Sequence, residues 1–402
     1  MVYKKTIDKG YLYQFLPENF QYLLKEKKVQ YKDKNLKTDY LINIIHEMML
    51  KYYFYRDDVL EKEIHFNLWS KLLRDKYGHL YNYYIDYLKS KDFIFLVSDY
   101  YGGKKARTYR LNRQFVTHII RIKIYDKVLL KKHSIDYLKK SYLNYNNSPI
   151  PMDIRGKLVD DLFDVEIDEE NSLKLLKELK DSKEITFVKY MKNKMSLENL
   201  TDRNIFFKFD EYGRMHTNFT ILKREIRKNF LTIDGQPLTE VDLSNSQPLF
   251  LAVLIKQELT PSKLINPEIT RYFNLVDNGL IYEELMNKCD IEDRDEAKIM
   301  MYKVLFGING DSARYNKMFY KVFPTIYDFI LNYKKDKKNY KSLSYKLQNL
   351  ESNFIYEQVI KHIIESNPEI KIFTVHDSLC FPLKYKDTVT TIFNYYKRNL
   401  LS

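Results

Sequence analysis

One stretch of this chain, residues 293–310, constrains fold and chemistry more than any other. Its long cationic and aromatic side chains recur at four-residue steps, so on a helix they form one slanted stripe. The members of the stripe are Arg294, Lys298, Tyr302 and Phe306. Apolar residues fall on a neighbouring face that a core would bury. These residues are Ala297, Met301, Val304, Leu305 and Ile308. Asp293 with Glu296 predicts the helix start, and Gly307 with Gly310 predicts its end.

Because a core would bury the neighbouring apolar face, the stripe remains available to a ligand. Along the stripe the cations come first and the aromatic rings follow. An extended anion that ends in a flat ring matches this order, and a nucleoside triphosphate is such a molecule. The alternative is an ordinary amphipathic helix with a solvated basic edge.

Two carboxylates in apolar surroundings favour the ligand interpretation. Asp242 follows a strand-like start and precedes a long apolar run within residues 238–255. His376 and Asp377 stand between two short apolar runs within residues 371–383, a pattern that predicts a β-hairpin. Two carboxylates from separate strands are what a pair of Mg²⁺ ions needs for phosphoryl transfer. The alternative for each aspartate is a residue that caps a turn.

These segments resemble motifs A, B and C of the single-subunit polymerases, the superfamily that joins family A DNA polymerases to phage-type RNA polymerases. The resemblance lies in Asp242 within Asp-x-Ser, the Arg-x3-Lys-x3-Tyr-x3-Phe-Gly helix, and Val-His-Asp at 375–377. Gly213-Arg214-x-His216-Thr217 is similar to a run before motif A, and Gln348 with Glu351 to a glutamine-bearing helix before motif C. All five occur in the family's order, within residues 206–402.

The resemblance implies a role for each matching residue. Asp242 and Asp377 would hold two Mg²⁺ ions, which Mn²⁺ could replace. Arg294 and Lys298 would bind the triphosphate, and Lys298 would also protonate the pyrophosphate. The remaining implied contacts are Tyr302, Phe306 and Gln247 with the incoming nucleotide, His376 with the primer terminus, and Arg214, Arg224, Arg227 and Gln348 with template or primer.

The sugar of the substrate stays open, because this chain departs from both branches of the family. Gln247 stands where the DNA enzymes have a glutamate, and Phe306 where both branches have a tyrosine. We expect Gln247 to be unanchored, so that both dNTPs and NTPs are incorporated with only about tenfold discrimination. Ser378 after Asp377 is similar to the RNA polymerases, whereas the short separation between Asp242 and Arg294 is similar to the DNA polymerases.

The N-terminal half predicts a winged helix over residues 45–115. Helices are expected over 41–55, 65–77 and 80–90, followed by strands over 93–97 and 104–111. Four cations of the predicted wing are expected to contact nucleic-acid phosphates. They are Lys104, Lys105, Arg107 and Arg110. The alternative is a protein-interaction module of the same fold.

The predicted fold is α+β, a right-hand polymerase palm with reduced fingers behind the winged helix. The expected domains are a basic, unassigned segment over 1–44, the winged helix over 45–115, a helical connector over 116–151, a thumb-like helical segment over 152–205, and palm and fingers over 206–402.

Composition agrees with a nucleic-acid binder. The chain has a net charge of +13 and contains 36 Tyr and 24 Phe, although an AT-rich genome also produces such a bias. Two cysteines are too few for a disulfide scaffold or a zinc site, and no apolar run is long enough to span a membrane. We expect a monomer in the cytoplasm of a bacterial or phage-infected cell, with DNA and nucleoside triphosphates as partners and replication or host proteins as further ones.

The sequence therefore predicts a template-directed nucleic-acid polymerase that joins (d)NTPs to a 3′-hydroxyl, in replication or priming on a phage or mobile element. Two alternatives stay open. One is a non-catalytic DNA-binding protein with a degenerate palm, and the other is a template-independent terminal transferase.

Overall fold

The computed structural model describes residues 10–54, 65–101, 106–116, 118–308, 313–334 and 340–401. Within these ranges, helices are combined with short antiparallel strands, which agrees with the predicted α+β class. None of the helices in the described ranges is both long enough and apolar enough to cross a bilayer.

The strands are β1 Leu12–Pro17, β2 Lys28–Tyr31, β3 Lys34–Lys37, β4 His65–Leu68, β5 Ile94–Ser98, β6 Arg107–Leu111, β7 Ile119–Ile124, β8 Val165–Ile167, β9 Phe207–Phe209, β10 Met215–Thr217, β11 Leu231–Ile233, β12 Gln236–Val241, β13 Phe373–Val375 and β14 Ser378–Pro382. The α-helices are α1 Thr38–Phe54, α2 Ser70–Tyr77, α3 Tyr81–Ser90, α4 Lys127–Asn146, α5 Met152–Leu162, α6 Glu169–Asp181, α7 Phe187–Thr201, α8 Arg224–Phe230, α9 Ser246–Glu258, α10 Pro261–Leu264, α11 Pro267–Asp277, α12 Ile281–Cys289, α13 Arg294–Phe306, α14 Ala313–Val322, α15 Pro324–Lys334, α16 Ser342–Asn353, α17 Lys361–Ser366 and α18 Lys386–Arg398. Between α16 and α17 the chain continues as a π-helix, Phe354–Ile360.

The chain forms two compact units. The first consists of Met1–Tyr142, Ile167–Ile205 and Ile221–Lys223, and the second of Leu143–Glu166, Phe206–Thr220 and Arg224–Ser402. The predicted thumb-like segment is thus divided between the units, since α5 belongs to the second, and α6 and α7 to the first.

In the first unit, α1 forms the centre of a core to which β1, α3 and β7 contribute. β1 pairs with β7. The predicted segment 1–44 therefore shares a two-stranded sheet with the predicted connector, 116–151. A three-stranded sheet has the order β4-β6-β5, with α2 and α3 between β4 and β5 in the chain. The element order from α1 is helix, strand, helix, helix, strand, strand.

One helix prediction in this unit is wrong at its start, because His65–Leu68 is strand β4 rather than helix. It pairs with β6, with Phe66 opposite Tyr109 and Asn67 opposite Thr108. Phe66 is buried between two exposed neighbours, a period-two pattern that fits a strand.

The second unit is built on a five-stranded sheet of order β13-β14-β12-β11-β8. Helix α9 follows β12 after a short turn and is buried from Ser246 through Ile255, which explains why this run is apolar on every face. Asn245 at the end of the turn has a left-handed backbone (φ 47°), and its side chain donates to the carbonyl oxygen of Val276 at 2.8 Å.

Side chains from α5 and from the π-helix hold β13 and the residues just before it in place. Asp161 on α5 accepts from the backbone N–H of Ile372 at 2.8 Å, and Lys157 one turn earlier donates to the carbonyl oxygen of Ile370 at 3.0 Å. Tyr356 on the π-helix lies within hydrogen-bonding distance of the Thr374 hydroxyl (3.0 Å) and accepts from the backbone N–H of Met215 at 3.3 Å. The strand that leads to His376 and Asp377 is therefore held from two sides.

Candidate active site

The two predicted carboxylates lie at the same end of the central sheet. Val375 pairs with Ser378, so His376 and Asp377 form the two-residue turn of the β13–β14 hairpin, and the predicted hairpin is confirmed. β14 in turn pairs with β12, with Leu379 opposite Val241, and Asp242 follows Val241 directly. Loss of hydration, and then the negative charge of Asp377, raise the pKa of the Asp242 carboxyl above its ordinary value.

Helix α13 carries the predicted stripe and begins and ends where the sequence indicates. The Asp293 side chain caps it by accepting from the N–H of Asp295 at 3.1 Å. The helix ends at Phe306, but Gly307 has φ −74°, so the end does not depend on the conformational freedom of glycine. Of the predicted buried face, Ile308 is the exception at 45% exposed, because it lies beyond the end of the helix.

The stripe remains accessible. Tyr302 is 48% exposed and its ring centre lies 5.7 Å from that of Phe306. The guanidinium of Arg294 donates to Glu283 Oε1 at 2.7 Å and lies 5.0 Å from the ring centre of Tyr282. Lys298 Nζ donates to Asp295 Oδ1 at 2.8 Å. These ion pairs lie at the surface, where such pairs are weak, so both cations are open to exchange of their partners.

The stripe and the hairpin turn act on one another electrostatically. Partial burial raises the pKa of the Tyr302 phenol, and the next cause is the charge of Asp377, followed by that of Glu351. Burial also raises the pKa of Tyr282, to which Tyr302 and then Asp377 contribute further. One residue of α12 and one of α13 therefore lie within electrostatic reach of Asp377.

A buried carboxylate that was not among the predicted site residues connects two that were. Glu351 on α16 is 2% exposed, and its Oε2 accepts from Arg214 Nε at 2.9 Å and also from the Arg214 Nη2. Gln247 donates its side-chain amide to Glu351 Oε1 at 3.1 Å. The expectation that Gln247 is unanchored is therefore wrong, because its side-chain amide is held by Glu351.

Cationic side chains act electrostatically on His376 in the hairpin turn. His376 has a left-handed backbone (φ 57°), and loss of hydration lowers the pKa of its ring. The charge of Asp377 opposes this change, whereas Arg214 and Arg227 add to it. Arg224, also predicted to contact nucleic acid, forms an ion pair with Glu240 beside Asp242.

The other predicted nucleic-acid contacts are Gln348 on α16, two arginines of the first unit, and two lysines outside the described residues. Gln348 lies three residues before Glu351 on α16 and donates to the Ser344 hydroxyl at 3.2 Å. In the first unit, Arg107 donates to Asp99 Oδ1 at 2.8 Å, and the Arg110 guanidinium lies 4.5 Å from the ring centre of Phe95. Lys104 and Lys105 lie outside the described residues.

Asp242 and Asp377 fit a hard divalent cation, because carboxylate oxygens are the ligands Mg²⁺ prefers and the two charges repel one another when no cation lies between them. Mg²⁺ keeps several waters and commonly uses only one or two protein carboxylates. Within the described ranges, no group of three or more His, Cys, Asp or Glu residues is placed to hold a metal ion.

Comparison with known proteins gives a fold-level likeness. No protein-family model matches the sequence, and no curated protein matches it. Among solved structures, the chain is similar to the POL domain of Pol1 from M. smegmatis, in complex with DNA primer-template and dNTP. The match has a TM-score of 0.45 and 12% sequence identity, and it covers 72% of this chain and 74% of that one. This likeness identifies no residue role in the present chain.

Two residues of the cluster were missed as site residues by the sequence reasoning. Glu351 stands among the buried positions Leu347 and Phe354, so a carboxylate in an apolar helical stretch was a usable signal. Tyr282 gave no such signal, because its place beside Arg294 depends on the packing of α12 against α13.

Proposed function

We propose that this chain is a template-directed nucleic-acid polymerase of the family A type, which transfers a nucleotide from a (d)NTP to a 3′-hydroxyl in replication or priming on a phage or mobile element. The observation that supports the proposal is the meeting of Asp242 and Asp377 at one end of the sheet, with Tyr302 of the exposed α13 stripe within electrostatic reach of Asp377. A metal-binding pair, a polyanion site and a stacking ring are the parts that nucleotidyl transfer needs.

Each side chain has a defined task in this proposal. Arg294 and Lys298 exchange their surface carboxylate partners for the triphosphate, and Lys298 donates a proton to the leaving pyrophosphate. Tyr302 offers its exposed ring to the incoming nucleotide. His376 would contact the reacting end of the primer, and Arg227, whose charge acts on the His376 ring, would bind template or primer phosphates. Mg²⁺ held by Asp242 and Asp377 would lower the pKa of the 3′-hydroxyl and neutralise charge on the phosphates.

The proposal is tested by incorporation of labelled NTPs or dNTPs on templates of known sequence with Mg²⁺. Asp242→Asn and Asp377→Asn should each reduce the rate by several orders of magnitude, because each removes charge compensation on the order of several kcal/mol from the transition state. Asp387→Asn, the same change at an exposed position on α18, is the matched control and should retain activity.

The products distinguish the proposal from its alternatives. Undiminished incorporation by either active-site variant would reject the site. Products whose composition ignores the template would identify a terminal transferase. Tight DNA binding without any incorporation would identify a non-catalytic binding protein.

A further inference from the structure

The basic segment before α1, which the sequence leaves unassigned, contains a two-stranded ribbon. Strands β2 and β3 pair antiparallel, with Val29 opposite Leu36, and the turn of Lys32 and Asp33 joins them. Lys32 has a left-handed backbone (φ 52°), as two-residue hairpin turns favour. Residues 25–37 contain six lysines and two carboxylates, so the ribbon and the residues just before it are strongly basic.

The face of the ribbon that carries Tyr31 lies on α3. Tyr31 donates its hydroxyl to the carbonyl oxygen of Asp86 at 3.3 Å, and its ring centre lies 5.5 Å from that of Tyr87. The Tyr84 hydroxyl accepts from the backbone N–H of Lys37 at 3.0 Å. Asp86, Tyr84 and Tyr87 all belong to α3, so the ribbon covers one side of that helix.

Helix α3 itself offers few side chains to a partner. Of its residues only Asn82, Lys89 and Ser90 are exposed, and the last two lie at its C-terminal end. In helix-turn-helix proteins the second helix of the pair contacts bases through its N-terminal residues, and in the predicted winged helix that position belongs to α3. Only one exposed residue, Asn82, stands at that end of α3, so the ribbon offers the larger exposed polar surface.

The opposite face of the ribbon is polar and open to solvent. Lys28, Gln30 and Asn35 are exposed, and Gln30 lies directly opposite Asn35. Lys28 lies opposite Lys37, and because side chains two residues apart on a strand share a face, these two pairs stand side by side. Lys37 is half-exposed and forms an ion pair with Asp126 at 2.8 Å. This face therefore presents two facing amides with lysines next to them.

Facing amides flanked by lysines match the major groove of B-form DNA. That groove is about 12 Å wide and admits a two-stranded ribbon, and the side-chain amides of Gln and Asn can each form two hydrogen bonds with the edge of an adenine. Lysines beside the amides can neutralise phosphates at the rim of the groove. The major groove of an RNA duplex is too deep and narrow for such contacts, so DNA is the matching partner.

We propose that the β2–β3 ribbon binds duplex DNA by entering its major groove, with Gln30 and Asn35 against base edges and Lys28 on a phosphate. The ribbon thereby takes the base-reading role that α3 would have in a helix-turn-helix protein. This inference goes beyond the proposed polymerase function and does not rest on it, because the ribbon belongs to the first unit and the candidate active site to the second.

The test is selection by the full chain from a pool of DNA duplexes with a randomised centre. Both ends of each duplex are closed by hairpin loops, so that the pool offers no 3′-hydroxyl to the candidate active site. The wild type should enrich a defined sequence and bind it at least about tenfold more tightly than the starting pool, because one good amide–base contact discriminates by that factor or more.

Three variants separate base reading from phosphate binding. Gln30→Ala with Asn35→Ala should reduce the preference to near one but keep the salt dependence of binding, because both residues are uncharged, and the retained salt dependence shows that this variant is folded. Lys28→Ala should keep the preferred sequence and lower the slope of log K against log [salt] by about 0.9. Asn82→Ala removes an exposed amide from α3 and is the matched control, which should behave as wild type.

Each outcome decides the role of the ribbon. A preferred sequence that the ribbon double variant no longer selects would support the proposal, whether or not the protein polymerises nucleotides. Equal binding of all sequences by the wild type, or an unchanged preference in the double variant, would overturn it. Loss of the preference in Asn82→Ala alone would assign base reading to α3 instead. A site defined only by A·T against G·C content would also overturn the proposal, because that is the degenerate pattern of the minor groove.

Discussion

At the scale of single residues, the candidate site brings together two carboxylates whose ionised forms repel each other. Asp242 has lost part of its hydration and faces the charge of Asp377, and both effects raise the pKa of its carboxyl. An acid whose pKa is raised by folding stabilises the fold below its unfolded pKa, and this contribution is lost as the pH rises through the folded value. Near neutral pH the ionised pair therefore opposes folding, as expected of residues selected for function.

This argument predicts that Asp242→Asn is more thermally stable than wild type at pH 7 without divalent metal. The gain should grow as the pH rises through the carboxyl range and vanish near pH 3, where the aspartate is neutral in both states. Mg²⁺ should raise the unfolding temperature of the wild type but not of the variant. Thermal unfolding monitored by circular dichroism, with EDTA and with Mg²⁺, measures both effects. A variant that is less stable at pH 7 would contradict the inferred repulsion.

At the scale of elements, helix α13 is held at its end by a buried lysine. Lys334, the last residue of α15, is 3% exposed and donates to the carbonyl oxygen of Gly307 at 2.9 Å and to that of Val304. Both carbonyls belong to the end of α13, where the helix dipole favours a cation. Burial lowers the pKa of Lys334 to about 8. The helix that carries Tyr302 and Phe306 is thus fixed by a group that titrates near neutral pH.

Lys334→Met should remove a pH dependence from the stability of the fold. Between pH 8 and about 10.5 the unfolded chain binds more protons at this lysine than the folded one, so wild-type stability rises with pH. Relative to the variant, the wild type should gain up to about 1.4 kcal/mol per pH unit in this interval. Urea unfolding at pH 8.0 and 9.5 measures the difference. The exposed Lys346→Met serves as control, and an equal pH dependence in both variants would refute the role of Lys334.

The sequence predicted those elements whose signal is local. The stripe on α13 follows from a four-residue period, and the β13–β14 hairpin follows from two short apolar runs on either side of His376 and Asp377; both elements are found. Strand β4 was missed for two reasons. Its partner, β6, lies far along the chain, and the four residues of β4 are too few to show a clear two-residue alternation. The contact of Gln247 with Glu351 joins positions 104 residues apart, so only the fold reveals that this amide is anchored.

At the scale of the whole molecule, the net charge is +13, but some of the cations are engaged by protein carboxylates. Arg214 and Arg224 near the candidate site are engaged by Glu351 and Glu240, so part of the positive charge there serves to orient protein groups. Duplex binding would then depend on cations elsewhere, and β6 carries two of those predicted from the sequence. Arg107 on this strand is exposed, and its partner Asp99 is exposed as well, so their ion pair is weak and open to exchange with a phosphate.

Replacement of Arg107 and Arg110 by Ala should weaken duplex binding and flatten its dependence on salt. Each lost phosphate contact lowers the slope of log K against log [salt] by about 0.9, because fewer counterions are released from the DNA. Fluorescence anisotropy with a labelled duplex at several salt concentrations gives this slope directly. Lys177→Ala, which removes one exposed charge from α6 in the same unit, provides the control and should leave the slope near that of wild type. An unchanged slope in the double variant would show that the three-stranded sheet does not contact the duplex, and would favour the interpretation of this region as a protein-interaction module.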